Sequence, residues 1–155
     1  MRIAIVHLSD IHLKTSNDSV FEKVDKIVDA VSSQFEVAGL VIAVSGDIAN
    51  FGLAKEFTVA SDFFHDLSSK LKVSMPDLEH ISFVCAPGNH DCNFVTLPKE
   101  IEKREAVLPA VISSINKIES NSGLIEQCLS VHQDFFKFLS QMTISDVMPF
   151  DSQLF

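Results

Sequence analysis

The chain has 155 residues, enough for one domain with a buried core, and 46% of them are hydrophobic. Only five Gly and five Pro exclude a disordered or low-complexity chain. The formal charge of −9 argues against a broad basic groove, so a nucleic-acid partner stays open but gains no support from charge, while a phosphate substrate is compatible with a site that cations make locally positive.

Taken in order, Arg2 to Leu8 predicts a short strand, apolar on both faces, as in a sheet covered on both sides. Ser9 to Asn17 is a polar loop containing Asp10 and His12. Asp18 or Ser19 can cap the next helix, with Glu22 in its first turn. Val20, Val24, Ile27, Val28 and Val31 then recur at helical spacing. Leu40 to Ser45 is a second buried strand, ended by Gly46-Asp47 and a polar turn with Asn50 and Gly52. Ala54 to Lys72 reads as a helix with Phe57, Phe63, Phe64, Leu67 and Leu71 inward.

Ile81 to Ala86 is the third strand, stopped by Pro87-Gly88 and followed by Asn89, His90 and Asp91. Strand, helix, strand, helix, strand implies a parallel sheet with right-handed crossovers. Ligands of such sheets gather at the carboxyl ends of the strands, where all three polar segments fall. Residues 1–97 thus form a motif-bearing α/β half, and residues 98–155 a helical insertion or extension of the same domain. In the second part, Lys99 to Glu105 is helical, Pro109 interrupts at Leu108, and Ala110 to Glu119 resumes with Val111, Ile112, Ile115 and Ile118. Asn121-Ser122-Gly123 is a break. Leu124 to Met142 reads as one phenylalanine-rich helix, and the tail from Pro149 to Phe155 has no pattern.

Cys85, Cys92 and Cys128 form no CxxC pair, so a structural zinc site of thiolates is not expected. Their odd number, without a secretion signal, suggests a reducing compartment. No apolar run approaches the roughly 18 residues that span a bilayer. The expectation is a cytoplasmic protein without a membrane partner. His7 reads as a buried, hydrogen-bonded histidine, and His65 and His80 as surface residues. Cys92, beside the site, is open to a redox-sensitive role but reads first as a structural thiol. His132, inside a helical pattern, reads as a surface or core residue rather than a ligand.

The chemistry converges on three strand ends. Extended residues i and i+2 point the same way, so Asp10 and His12 can reach one cation. Asp47 arrives from the neighbouring strand and, with two oxygens, can bridge two cations. Asn89 can ligate through its amide oxygen. Carboxylate and imidazole together suit manganese, iron or zinc better than calcium. His90 can protonate a leaving alkoxide, and Asp91 can orient its ring. Each motif alone is an ordinary turn composition; specificity lies in their order and in their shared place at strand ends.

Asp10-x-His12, Gly46-Asp47 with Asn50 and Gly52, and Gly88-Asn89-His90-Asp91 resemble the first three motifs of the calcineurin-like metallophosphoesterases, over roughly residues 1 to 95. The resemblance implies an α/β/β/α sandwich, here an incomplete half with a parallel sheet plus a C-terminal helical region. It implies a two-metal centre: Asp10 and His12 on the first ion, Asp47 bridging, Asn89 on the second, and His90, paired with Asp91, at the phosphate or leaving group. That family continues with a lone histidine and a Gly-His-x-His motif. This chain has no Gly-His-x-His, and His132 is its one histidine after His90. It therefore reads as the amino-terminal half of a phosphoesterase, its second metal site incomplete. A sheet face left bare would be covered by the phenylalanine-rich helix, by a partner, or by homo-oligomerisation. Two functions follow: a metal-dependent hydrolase of phosphate mono- or diesters, or a non-catalytic scaffold on the same fold.

Overall fold

A computed structural model describes residues 2–34, 36–113 and 122–142. Three apolar segments pair as parallel strands: β1 (Ile3–Leu8), β2 (Gly39–Ser45) and β3 (His80–Ala86), in the order β1-β2-β3. The register aligns Val6 with Ile42 and Ile42 with Phe83. The helices α1 (Lys23–Gln34) and α2 (Ala54–Ser74) make the two crossovers. Both steps go the same way across the sheet. Two crossovers of one hand then place both helices on one face, and α1 and α2 do pack against each other.

That topology decides which strand residues are buried. Leu40, Ile42, Val44, Ile81, Phe83 and Cys85 face the helices and are buried. The alternate residues are not: Ile5 is 72% exposed, and Ile3 and Val84 are exposed as well. The expected cover on both faces is therefore absent among the described residues. The phenylalanine-rich segment does not supply it either, because it packs on α2: Phe138 stacks on Phe57 with centroids 5.4 Å apart, and Phe135 meets Phe57 edge-on at 6.0 Å. His7 is exposed rather than buried, its Nε2 2.6 Å from Ser45 Oγ. His65 and His80 are exposed, as read from the sequence.

Helix α1 begins later than its sequence suggests. Asp18 does not cap it; its carboxylate accepts from the Lys14 N–H at 2.9 Å and closes the preceding loop. Val24, Val28 and Val31 still form the buried stripe. At the start of α2, Glu56 is buried and its Oε2 accepts from the Phe51 and Leu53 N–H groups at 2.8 and 3.2 Å. That satisfies donors no helical carbonyl can reach.

Helix α3 (Pro98–Ser113) runs through Pro109 rather than stopping at Leu108. Its own start is well chosen, since proline in the first turn forfeits no helical hydrogen bond. The long helix expected over Leu124–Met142 is two: α4 (Ser122–Leu129) and α5 (Gln133–Gln141), joined by a 3-10 turn at Ser130–His132. At that joint the Val131 carbonyl accepts from the Asn93 N–H at 2.8 Å. The expectations for Ile115 and Ile118, for Asn121 and for the tail from Pro149 lie outside the described residues. Among the described residues, no helix is long and apolar enough to cross a membrane.

Candidate metal centre

Past the strands, the chain keeps its parallel pairing for one more step, Leu13 bridging Ala49. The Asp47 carbonyl accepts from the Ile11 and His12 N–H groups, both at 2.9 Å, and Ile48 O accepts from Leu13 N–H at 2.9 Å. Ile11 and Leu13 turn into the core. Asp10 and His12 flank Ile11 and remain on the open side, exposed and half-buried.

The backbone reason differs from the expected one. Asp10, His12 and Asp47 are not extended; their φ angles are 54°, 53° and 54°, and no other non-glycine residue described has a positive φ. Asp and His tolerate this left-handed region better than most residues, but it remains a less favourable conformation. All three are the candidate ligands. One donor atom from each lies within 4.8 Å of the others. Two ligands on opposite sides of a divalent ion at about 2.1 Å are about 4.2 Å apart, so the group needs little contraction to hold one. His12 Nε2 lies 4.0 Å from Asp10 Oδ1, and His12 Nδ1 is buried without a partner. Two carboxylates and an imidazole with that orphaned atom fit a divalent cation of the manganese, iron or zinc kind.

The third loop closes on the other two. His90 N–H donates to Asp47 Oδ1 at 3.0 Å. The His90 and His12 rings meet edge-to-face, centroids 4.6 Å apart. His90 Nδ1 lies 2.9 Å from the Asn50 carbonyl. A carbonyl only accepts, so Nδ1 carries the proton and Nε2 is left for the site. Gly46 and Gly88 allow this approach. A Cβ on Gly46, whose φ is +94°, would lie 2.8 Å from Gly88 Cα, and one on Gly88 would overlap Asp47 Oδ1.

Asp91 does something other than expected. It is fully buried, and its carboxylate accepts from the N–H groups of Ala49 and Gly88, both at 2.8 Å, and of Ile48 at 3.3 Å. It latches the third loop to the second and is not the partner of the His90 ring; the Asn50 carbonyl takes that place. Burial pushes its carboxyl above the ordinary range, and the Asp47 charge adds to that, while the three N–H donors pull it back. Asn89 is exposed at the turn, and no hydrogen bond of its side chain is found among the described residues.

Cys92 is buried, and burial pushes its thiol up to about 11. Its Sγ lies 3.1 Å from His132 Nε2. His132 is half-buried in the 3-10 turn and is not one of the Asp-His-Asp group. Burial and, after it, the Arg104 charge lower its pKa, opposed by the Gly88 backbone. Sequence reasoning did not foresee the Asn50 carbonyl or the Asp91 latch. Both depend on backbone groups, which residue types do not announce.

A family model for calcineurin-like phosphoesterase matches residues 3–153. No curated protein and no solved structure matches the chain. The family match extends beyond the motif-bearing segment, residues 1–97, into the helical region.

Proposed function

This chain belongs to the calcineurin-like phosphoesterase family, and on that premise we propose that it hydrolyses phosphate esters with two divalent ions, most simply manganese, at the three-loop centre. The observation that carries the reading is the convergence of Asp10, His12 and Asp47 within 4.8 Å. Asp10 and His12 would hold the first ion, Asp47 would lie between the two, and the Asn89 amide oxygen would face the second. When bound, such a pair supplies hydroxide at neutral pH and clamps the phosphate oxygens for in-line attack.

His90 does the remaining work. Its Nδ1–H is fixed on Asn50, which orients the ring. When the ring takes a second proton, Nε2–H can donate to the leaving-group oxygen. Asp47 serves twice, since the oxygen that accepts from His90 N–H belongs to a metal-facing carboxylate.

One observation favours a non-catalytic scaffold instead. No fourth His, Cys, Asp or Glu among the described residues joins the group, so the second ion has few charged ligands. Turnover of p-nitrophenyl phosphate and bis-p-nitrophenyl phosphate with Mn2+ separates the readings. Metal-dependent hydrolysis, lost in Asp47→Asn, supports the enzyme, and the preferred ester tells a monoesterase from a diesterase. No turnover and no Mn2+ binding in the wild type would leave the scaffold.

A further inference from the structure

The site loop is anchored on two sides. On one, Asp91 binds the loop after β2. On the other, the next two residues are bound to the joint between α4 and α5. Asn93 is 2% exposed and uses its whole amide group. Its Oδ1 accepts from Val95 and Thr96 N–H at 3.3 and 2.9 Å. Its Nδ2 donates to Thr96 Oγ1 at 2.7 Å and to Asp134 Oδ2 at 2.9 Å. Its backbone N–H donates to Val131 O at 2.8 Å, and Cys92 Sγ sits 3.1 Å from His132 Nε2.

A continuous helix through 130–132 would turn the Val131 carbonyl along its own axis, toward the N–H four residues on. The 3-10 turn is where that carbonyl instead reaches another segment. The helical continuity lost there is exchanged for a grip on residues 92 and 93, two and three positions from His90. Since His90 N–H holds Asp47 Oδ1, displacement of that grip reaches both a candidate ligand and the candidate proton donor.

We propose that His132 and Asp134, at the α4–α5 joint, are positioning residues that hold Asn89 and His90 in place through Cys92 and Asn93. The proposal rests on the metal-dependent reading of the site, but its geometry exists without the ion. The helical region is thereby part of the functional unit.

The test uses the full chain as wild type, Asp134→Ala, Asp134→Asn and His132→Ala. Two quantities are read: the His90 Nδ1–H resonance in metal-free protein, and Mn2+ affinity by calorimetry. Asp134→Ala and His132→Ala should shift or broaden the His90 resonance and weaken Mn2+ binding about tenfold, the usual scale for groups that orient ligands. Asp134→Asn keeps an acceptor for Asn93 Nδ2 and should behave as wild type. A side chain that only stabilised the fold would lower the melting temperature and leave the His90 resonance alone. Should His132→Ala fail to fold, the half-buried Asp134 decides the matter. An unchanged resonance and affinity in folded Asp134→Ala overturns the proposal, and so does an Asp134→Asn variant as impaired as Asp134→Ala. If wild type binds no Mn2+, the metal reading fails by itself, and the His90 resonance still decides whether the joint positions the loop.

Discussion

The backbone N–H of His90 donates to Asp47 Oδ1 at 3.0 Å, while the Asp47 carbonyl accepts from Ile11 and His12. Asp47 thus ties all three loops through its backbone and side chain together. Its charge and its hydrogen-bonding shape can be separated experimentally. Asp47→Asn keeps an acceptor oxygen and a residue tolerant of positive φ, but removes the negative charge. We expect the variant to fold with an unfolding midpoint near that of wild type and to lose Mn2+ affinity on the order of 100-fold. Calorimetry and a thermal melt check both halves. Equal Mn2+ affinity in the two proteins would remove Asp47 from the metal centre.

Asp91 predicts the reverse pattern. Its carboxylate is committed to three backbone N–H groups. Leaving buried donors unpaired costs about 1–3 kcal/mol each, so Asp91→Ala should lose on the order of 3 kcal/mol or more in urea unfolding. A variant as stable as wild type would show that these bonds contribute nothing net.

Gly88→Ala tests the close approach of the loops. The added methyl would overlap Asp47 Oδ1 and lie 2.5 Å from Asp47 N. The carboxylate could rotate away only by giving up its bond to the His90 N–H, and Asp47 N cannot retreat without moving a loop that β2 and the Asp91 latch both fix. We expect lower stability and at least tenfold weaker Mn2+ binding, ~1.4 kcal/mol or more. Retention of wild-type affinity would show that the loops have slack.

The His132 imidazole gives a pH signature. Burial holds its pKa below the ordinary value of 6.5. The unfolded chain therefore takes up this proton at a higher pH than the folded chain, and acid favours unfolding. This contribution to stability is intact above about 6.5 and is lost as pH falls toward the folded value. His132→Gln, which does not titrate, should become relatively more stable against wild type between pH 7 and pH 5. Parallel pH profiles for the two proteins would contradict the assignment.

The strands and the first two helices were legible because their apolar patterns are strong, and because Gly or Pro bounds β2, α2 and β3. Asp10, His12 and Asp47 were legible as a set because their side-chain chemistry is uncommon at three successive strand ends. The φ angles that aim them were not, since left-handed geometry leaves no trace in a residue as versatile as Asp. Asp91 was misread for a related reason: next to His90 in sequence, it suggested a ring partner, whereas the turn directs it inward to backbone donors. The break at Ser130–His132 was hidden because apolar spacing continues through it. There the Val131 carbonyl meets the N–H of Asn93, nearly forty residues upstream.

The strands lie side by side in the order in which they are made. Each newly synthesised strand can therefore dock on its immediate predecessor, with no gap kept open for a later arrival. A nascent chain could assemble its first two strands, with Asp10, His12 and Asp47, before His90 leaves the ribosome. The centre would then be finished from one side, by the third strand, and a ribosome paused between the second and third strands would display an aspartate-histidine-aspartate cluster not yet tethered to its imidazole donor.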